Sequence, residues 1–498
     1  MSLSPLDWLI IVAYLAGCLA AGLAMRRYVR GVEDFTLAGR EMNVNLGIAS
    51  LAATEMGLVT IMYTAQLGFE KGLAGAMIGV LMALAFWIIG KTGFIIEPLR
   101  TAGVMTIPEL FEKRFNTKVR WLAGLFVVVG GLLNMGIFLR LGGEFLVWAT
   151  GMPPSWLEWV MTGLLGVVLL YTALGGMLSV LVTDYLQFLV MGVGLVITSI
   201  LVLYSVGGLD LISGLQLAWE GKSSMELTSH PFNPFHESSL GWGYIVWMLM
   251  FQIAVATTWQ TVISRVLSAK NSVIAKQMYR RTAFYFVGRF LLPGLWGAAA
   301  FVYLANNGGM PEGVSSLTAM PHYLNIILPV GLIGIVIAAM LAAEMSTDSS
   351  YLLTWATVIY NDLISPCLRQ PMAPKNRLLL TRCIVVGIGV FLLFYGLWYE
   401  LPGNAWDYLA VTGTIYIASI FTLLVAGLYW PRATARGAYA ALIMGAIGPI
   451  SFLVLGGEFN IAPEVAGVSA FALAAVGMIV GSLTSPARPT TTAAAANA

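Results

Sequence analysis

Long apolar runs, separated by short charged or glycine-rich connections, repeat along almost the whole chain. A membrane crossing needs about 20 mostly apolar residues. Runs of that kind lie at roughly 5–25, 43–68, 73–98, 120–148, 155–179, 181–206, 240–266, 281–306, 322–358, 376–397, 405–429, 436–456 and 464–484. They predict an all-α polytopic membrane protein with about thirteen transmembrane helices in a single domain, 1–484, followed by a disordered cytoplasmic tail, 485–498, of Pro, Thr and Ala. The first run has almost no charge before it and no small-residue cleavage site with a soluble domain after it. It is expected to be a retained span, not a signal peptide.

Lys and Arg collect in alternate connections: Arg26, Arg27, Arg30 and Arg40; Arg100, Lys113, Arg114, Lys118 and Arg120; Lys270, Lys276, Arg280 and Arg281; Arg369, Lys375, Arg377 and Arg382; Arg432 and Arg436. The remaining connections hold little beyond Lys71 and Lys222. Positive loops stay cytoplasmic, which places the N-terminus outside and the C-terminus inside a plasma (bacterial inner) membrane. Two inner connections read as structured. Thr106 to Phe115 looks like a capped amphipathic helix with Pro108 early, and Asn271 to Arg281 like a basic connecting helix. The outer connection, Gly207 to Leu240, is expected to hold a short surface helix or a lid.

Composition agrees. The 498 residues are 59% hydrophobic and 10% charged, against roughly 25% charged in soluble proteins. A net charge of +2 suggests no nucleic-acid partner. Three scattered cysteines and three histidines show no metal or disulfide spacing. No phosphate loop, zinc motif or nucleophilic triad appears, so neither an enzyme nor a cofactor is expected. Lipid is the expected surroundings, and nothing in the sequence bears on oligomeric state.

The candidate chemistry is the set of ionisable residues inside the runs: Glu55, Lys91, Arg140, Glu144, Asp184, Arg289, Glu344 and Asp348. Arg140 and Glu144, four apart, are expected to pair with each other. Glu55 lies next to Gly57 near mid-membrane, where a broken helix would free carbonyls for a small cation. Gly175-Gly176 suggests a tight turn before Asp184. In Ala342-Ala343-Glu344-Met345-Ser346-Thr347-Asp348-Ser349-Ser350, positions 343, 346, 347 and 350 share one helical face of small, oxygen-bearing groups. That face suits either a cation path or close helix packing. Carboxylates and hydroxyls without His or Cys suit Na⁺ better than a transition metal.

Four motifs bring a resemblance: Asp34-Phe35-Thr36-Leu37-Ala38-Gly39-Arg40, Gly175-Gly176 through Gln187, Ala342 through Ser350, and Tyr429-Trp430-Pro431-Arg432-Ala433-Thr434. Together they resemble the sodium/solute symporters, the group of sodium–glucose, sodium–proline and sialic acid transporters. The resemblance implies a LeuT-like 5+5 inverted repeat, about 43–206 and 240–429, with one extra N-terminal and two extra C-terminal helices. It implies Na⁺-coupled uptake of a small organic solute, an amino acid-like zwitterion or a sugar or polyol, by alternating access. The main sodium site would use carbonyls of Ala53, Met56 and Ala343 and hydroxyls of Ser346 and Thr347. A second would use Asp184, Ser346, Ser349 and Ser350. Substrate would lie near Thr54, Glu55, Gly57, Gln252, Val255, Tyr408, Thr412 and Tyr416. Asp348 is expected either to support the second site or to pair with Arg289. Proton coupling through Glu55, Glu344 or Asp348, and a solute sensor on a transporter fold, are the alternatives.

Overall fold

The computed structural model describes residues 3–28, 31–398, 405–459 and 462–485. The expected tail, apart from Ser485, lies outside them. Eleven segments among the described residues are helical, long and apolar enough to cross a membrane. One of them, Pro154–Ser205, takes in nearly all of the expected runs 155–179 and 181–206, and another, Leu58–Thr92, takes in parts of 43–68 and 73–98.

The elements that build the site are α1 (Val44–Glu55), α2 (Leu58–Lys71), α3 (Phe138–Thr150), α4 (Leu157–Ser205), α5 (Gly241–Thr258), α6 (Gln260–Ser268), α7 (Tyr285–Asn306), α8 (Leu332–Val358) and α9 (Ala405–Tyr429). At 1.5 Å per residue, α4 would be about 70 Å long if straight, more than twice a bilayer core of about 30 Å. It folds at Gly176, with φ +57° and ψ −152°, a region open essentially to glycine alone. A Cβ there would also lie 2.5 Å from the Phe35 carbonyl oxygen. Gly176→Ala is therefore expected to lower stability by at least about 1–3 kcal/mol, read as thermal unfolding in detergent. An unchanged melting temperature would show that the bend tolerates a side chain.

Two helix pairs are interrupted in mid-membrane. The break between α1 and α2 falls at Met56 and Gly57, and a second, not anticipated, falls at Trp259 between α5 and α6, where ψ is +109°. The two broken pairs meet at one end: Met42, just before α1, makes a parallel bridge to Ala269, just after α6. On the other side α2 crosses α7 through small residues. A Cβ on Gly68 would fall 1.9 Å from the Gly294 carbonyl oxygen, and one on Gly297 would fall 1.8 Å from that of Ala65. Only glycine permits such an approach, and it brings Arg289 of α7 up to the first break.

Of the expected connecting helices, Asn271 caps Ser272–Thr282 through Ile274 N–H, and the outer loop contains a helix at Asp210–Trp219. The helix Ile107–Arg114 also forms, but Thr106 does not cap it. Its hydroxyl donates instead to Asp362 at 2.9 Å, beside Arg120 at 2.8 Å. A buried carboxylate at the end of the α8 segment is a stronger acceptor than a helix terminus needs a cap.

Candidate functional site

The first break is built around Thr347. Glycine is required at position 57 because a Cβ would sit 2.4 Å from Thr347 Oγ1. The Thr347 hydroxyl donates to the Thr54 carbonyl at 2.9 Å, and the Thr60 hydroxyl to the Glu55 carbonyl at 3.1 Å. These bonds satisfy carbonyls that a continuous helix would have bonded internally. Ala53, Met56, Ala343, Ser346 and Thr347 are all buried at this α1–α2–α8 contact. The Ser346 hydroxyl is buried without a hydrogen-bond partner.

A cavity of about 70 Å³ opens beside the break, with Thr54, Glu55, Tyr63, Gln252, Trp259 and Arg289 on its wall. Glu55 and Arg289 form an ion pair at 3.1 Å, with side chains 5% and 9% exposed. Arg289 also donates to the hydroxyls of Thr60 at 3.0 Å and Tyr63 at 3.1 Å. Three polar atoms on this wall are buried and unpartnered: Glu55 Oε1, Arg289 Nε and Gln252 Nε2. Trp406 packs against Tyr63 at 4.8 Å and Phe290 at 5.5 Å, and Trp259 stacks on Tyr416 at 5.7 Å. The result is one acidic, one basic and two amide side chains, Gln252 and Asn134, in an aromatic cage.

Of the expected substrate residues, Thr54, Glu55, Gln252 and Val255 line the cavity. Gly57 lies behind it, against Thr347. Tyr408, Thr412 and Tyr416 are not on the wall. On α9 it is Trp406, Leu409 and Ala410, spaced i, i+3, i+4, that face the cavity. Tyr408 points away to the hydroxyl of Tyr395 at 3.0 Å, and the Thr412 hydroxyl donates to the Tyr408 carbonyl at 2.7 Å. Trp259, Trp406 and the role of Arg289 were not foreseen. Threonines and tryptophan at 257–259 carry no glycine or proline to signal a break.

A second polar cluster lies beneath. Asp184 Oδ2 accepts from Ser50 Oγ at 2.6 Å, and its Oδ1 is unpartnered. Ser350 and Thr54 hydroxyls are 3.0 Å apart. Into their midst comes Arg265 of α6, which is fully buried. Its Nη2 donates to Ser350, to Thr54 Oγ1 at 2.7 Å and to Asp184 Oδ2 at 3.4 Å, and its Nε to Ser50 at 3.2 Å. Ser349 turns back on its own helix and donates to the Ser346 carbonyl at 3.2 Å. So Asp184 and Ser350 of the expected second site come together around a guanidinium that the sequence reading missed. Arg265 ends an apolar run, where it looks like a cytoplasmic anchor.

Arg140 and Glu144 pair at 3.0 Å, as their spacing predicts. Asp348 does not meet Arg289, whose charge is taken by Glu55.

Two broken helix pairs facing each other across a small polar cavity define a transporter of the LeuT-like fold. The described helices superpose on a Na⁺-coupled sialic acid symporter in its substrate-bound outward-open state with TM-score 0.82, at 20% identity, covering 98% of this chain and 100% of that one. A lower likeness, TM-score 0.52 at 15% identity over 89% of this chain and 98% of the other, links it to MhsT in complex with L-phenylalanine. In sequence the chain is 27% identical to the sodium/glucose cotransporter of Vibrio parahaemolyticus, over 90% of this chain and 84% of that protein. It is 26% identical to the high-affinity proline transporter PutP of Bacillus subtilis (strain 168), over 83% and 85%. Residues 35–445 match the profile of the sodium:solute symporter family, and the chain belongs to that family. It is a multi-pass, sodium-coupled symporter of a small solute.

Proposed function

We propose that the coupling sodium binds at the first break, held by the Ala53, Met56 and Ala343 carbonyls and the Ser346 and Thr347 hydroxyls. The observation that carries this reading is that Ser346 and Thr347 are both buried against the interrupted end of α1, with the Ser346 hydroxyl facing the Asp184 carboxylate. A bound ion there ties the broken helix to α8, and its loss frees the two to separate, as alternating access requires. Inward sodium movement supplies about 2.3 kcal/mol per charge per 100 mV, plus the concentration term. Repeats at 43–206 and 240–429 fit the matching breaks in the leading helix of each. The N-terminus faces outside and the C-terminus the cytoplasm of a plasma membrane.

The second group, Asp184, Ser346, Ser349 and Ser350, takes a further sodium only in a conformation where Arg265 has left Asp184 and Ser350. With the guanidinium in place, that cluster already holds one positive charge.

The solute we assign to the cavity is a zwitterion, such as an amino acid, rather than a sugar or polyol. An amine would meet the free Glu55 Oε1, and a carboxylate would meet Arg289 Nε and Gln252 Nε2. A polyol would find the same donors, but would leave an acid and a base with charge it does not need. Relatives named for glucose, inositol and proline span both classes.

The test is uptake into proteoliposomes of proline, glucose, inositol, acetate, choline and sialic acid under inward Na⁺, K⁺ or H⁺ gradients. An amino acid accumulating only with Na⁺ is expected. Sugar accumulation with Na⁺ would keep the symporter and overturn the zwitterion. Uptake driven by H⁺ alone would move the coupling to protons. Binding without accumulation would point to a sensor.

A further inference from the structure

An apolar groove of about 520 Å³ lies between α9 and the helix Pro463–Leu483, far along α9 from the solute cavity. Phe421, Val425, Ala426 and Trp430 form one wall, and Met478 and Ile479 the other. From Phe421 to Trp430 the wall is about 14 Å long at 1.5 Å per residue. That is close to half of a bilayer core of about 30 Å, so the groove spans one leaflet. Small residues shape it. A Cβ on Gly477 would lie 2.8 Å from the Ala440 carbonyl oxygen, and one on Gly481 would lie 2.8 Å from Gly437 Cα. These contacts draw the helix Pro463–Leu483 onto the helix Ala435–Gly445 and leave the strip beside α9 uncovered.

At its Trp430 end the groove adjoins two cations. Arg432 and Arg436 are exposed, and among the described residues neither guanidinium has a hydrogen-bond or ion-pair partner. They are the only charged residues from 408 to 457, and no Asp or Glu follows Glu464. The turn that carries them is fastened on both sides. Arg114 donates to the carbonyls of Gly427 at 2.9 Å, Trp430 at 3.2 Å and Pro431 at 3.1 Å. The Thr434 N–H donates to Ser482 Oγ at 3.1 Å, which ties the turn to the helix Pro463–Leu483. Other basic residues on this side are answered by acids: Lys276 by Glu97, and Arg120 by Glu112 and Asp362.

We propose that this groove binds one anionic phospholipid, with an acyl chain between α9 and the helix Pro463–Leu483 and the phosphate on Arg432 and Arg436. Guanidinium groups suit phosphate because their planar donors bind its oxygens in pairs. The apolar walls suit the chain, and their length matches a single leaflet. The headgroup must carry net negative charge for a reason of charge balance. A choline headgroup would bring an ammonium up to two arginines with no acid beside them. In the orientation proposed above, this is the cytoplasmic leaflet. The binding itself depends neither on that orientation nor on the sodium or solute sites. A second copy of this chain is the rival occupant. Asp407 and Glu464, the acids on the two walls' own helices, lie at the ends remote from the arginines.

The test titrates the purified full chain in detergent with dioleoyl phosphatidylglycerol or dioleoyl phosphatidylcholine and counts retained lipid by native mass spectrometry. Wild type is expected to retain one phosphatidylglycerol per chain, about 30-fold more tightly than phosphatidylcholine, the preference that two arginines near a membrane surface supply. R432Q/R436Q should lose that preference. A475W, which fills the groove and leaves the charge alone, should lose the bound lipid. If A475W does not fold, I479W, at a more exposed place on the same wall, serves instead. R369Q/K375Q, which removes equal exposed charge from another connection, should bind as wild type does. Equal retention of the two lipids by wild type would overturn the proposal. So would a preference lost equally in R369Q/K375Q, which would make it diffuse surface charge. A lipid-free dimer that A475W or I479W splits would give the groove to a second copy.

Discussion

Arg289→Met is expected to lower the stability of the protein by about 3–5 kcal/mol, the usual cost of removing one partner of a buried ion pair. Arg289 and Glu55 are both nearly inaccessible, and among the described residues Arg289 is the cation in contact with Glu55 Oε2. The Arg289 guanidinium carbon also lies 5.9 Å and 5.6 Å from the ring centroids of Phe286 and Phe290, so the loss includes those contacts as well as the ion pair. Adding Glu55→Gln to Arg289→Met should recover most of the stability, because no uncompensated charge then remains. It should not recover uptake of a zwitterion, which needs both groups. Equilibrium unfolding in detergent and proteoliposome uptake, measured on wild type, Arg289→Met and the double variant, separate the two effects. If Arg289→Met were as stable as wild type, the pair would be incidental to the fold. If the double variant carried solute normally, the pair would not be the recognition site.

Arg265→Ala carries the second large effect. In sodium-free buffer it leaves Asp184 buried without its cation, at a cost of about 3–5 kcal/mol. Sodium should then stabilise the variant more than it stabilises wild type, since the vacated space is bounded by Asp184, Ser50, Thr54 and Ser350, all oxygen donors. An ion at 100 times its dissociation constant adds about 2.7 kcal/mol. Thermal unfolding against sodium concentration, with potassium as control, reads this directly. A variant that gains no more from sodium than wild type would mean that the cluster is a structural lock and not a latent ion site.

The proposed sodium ligands came from the resemblance, and the sequence supported them for a local reason. Ala343, Ser346, Thr347 and Ser350 share one face by spacing alone, and Glu55-Met56-Gly57 is a poor continuation of a membrane helix. The close approach of Gly57 to Thr347 joins these two readings. The cavity was legible only in part. The resemblance places Tyr408, Thr412 and Tyr416 near the substrate, yet the rotation of α9 turns Trp406, Leu409 and Ala410 toward the cavity. Side-chain polarity says nothing about which way a helix buried on most sides is rotated.

Arg265 and Arg289 show the same limit for charge. Each is a single basic residue in or at the end of an apolar run, and a pair that forms across helices leaves no spacing to read. A pair between Arg289 and Asp348 is one of two arrangements the sequence leaves open, but the Gly68–Gly294 and Ala65–Gly297 contacts draw α7 against α2 and deliver Arg289 to Glu55.

By itself the sequence determined that this is a polytopic helical membrane protein, where its first helix break falls and which oxygens gather on α8. Those follow from hydrophobic length, helical period and glycine, all of which act within a few residues. Tertiary structure alone decided the second break at Trp259, the cage around the cavity and the partners of Glu55 and Asp184. Those depend on how distant helices rotate and approach, and in lipid that is settled by packing of small residues rather than by any pattern along the chain.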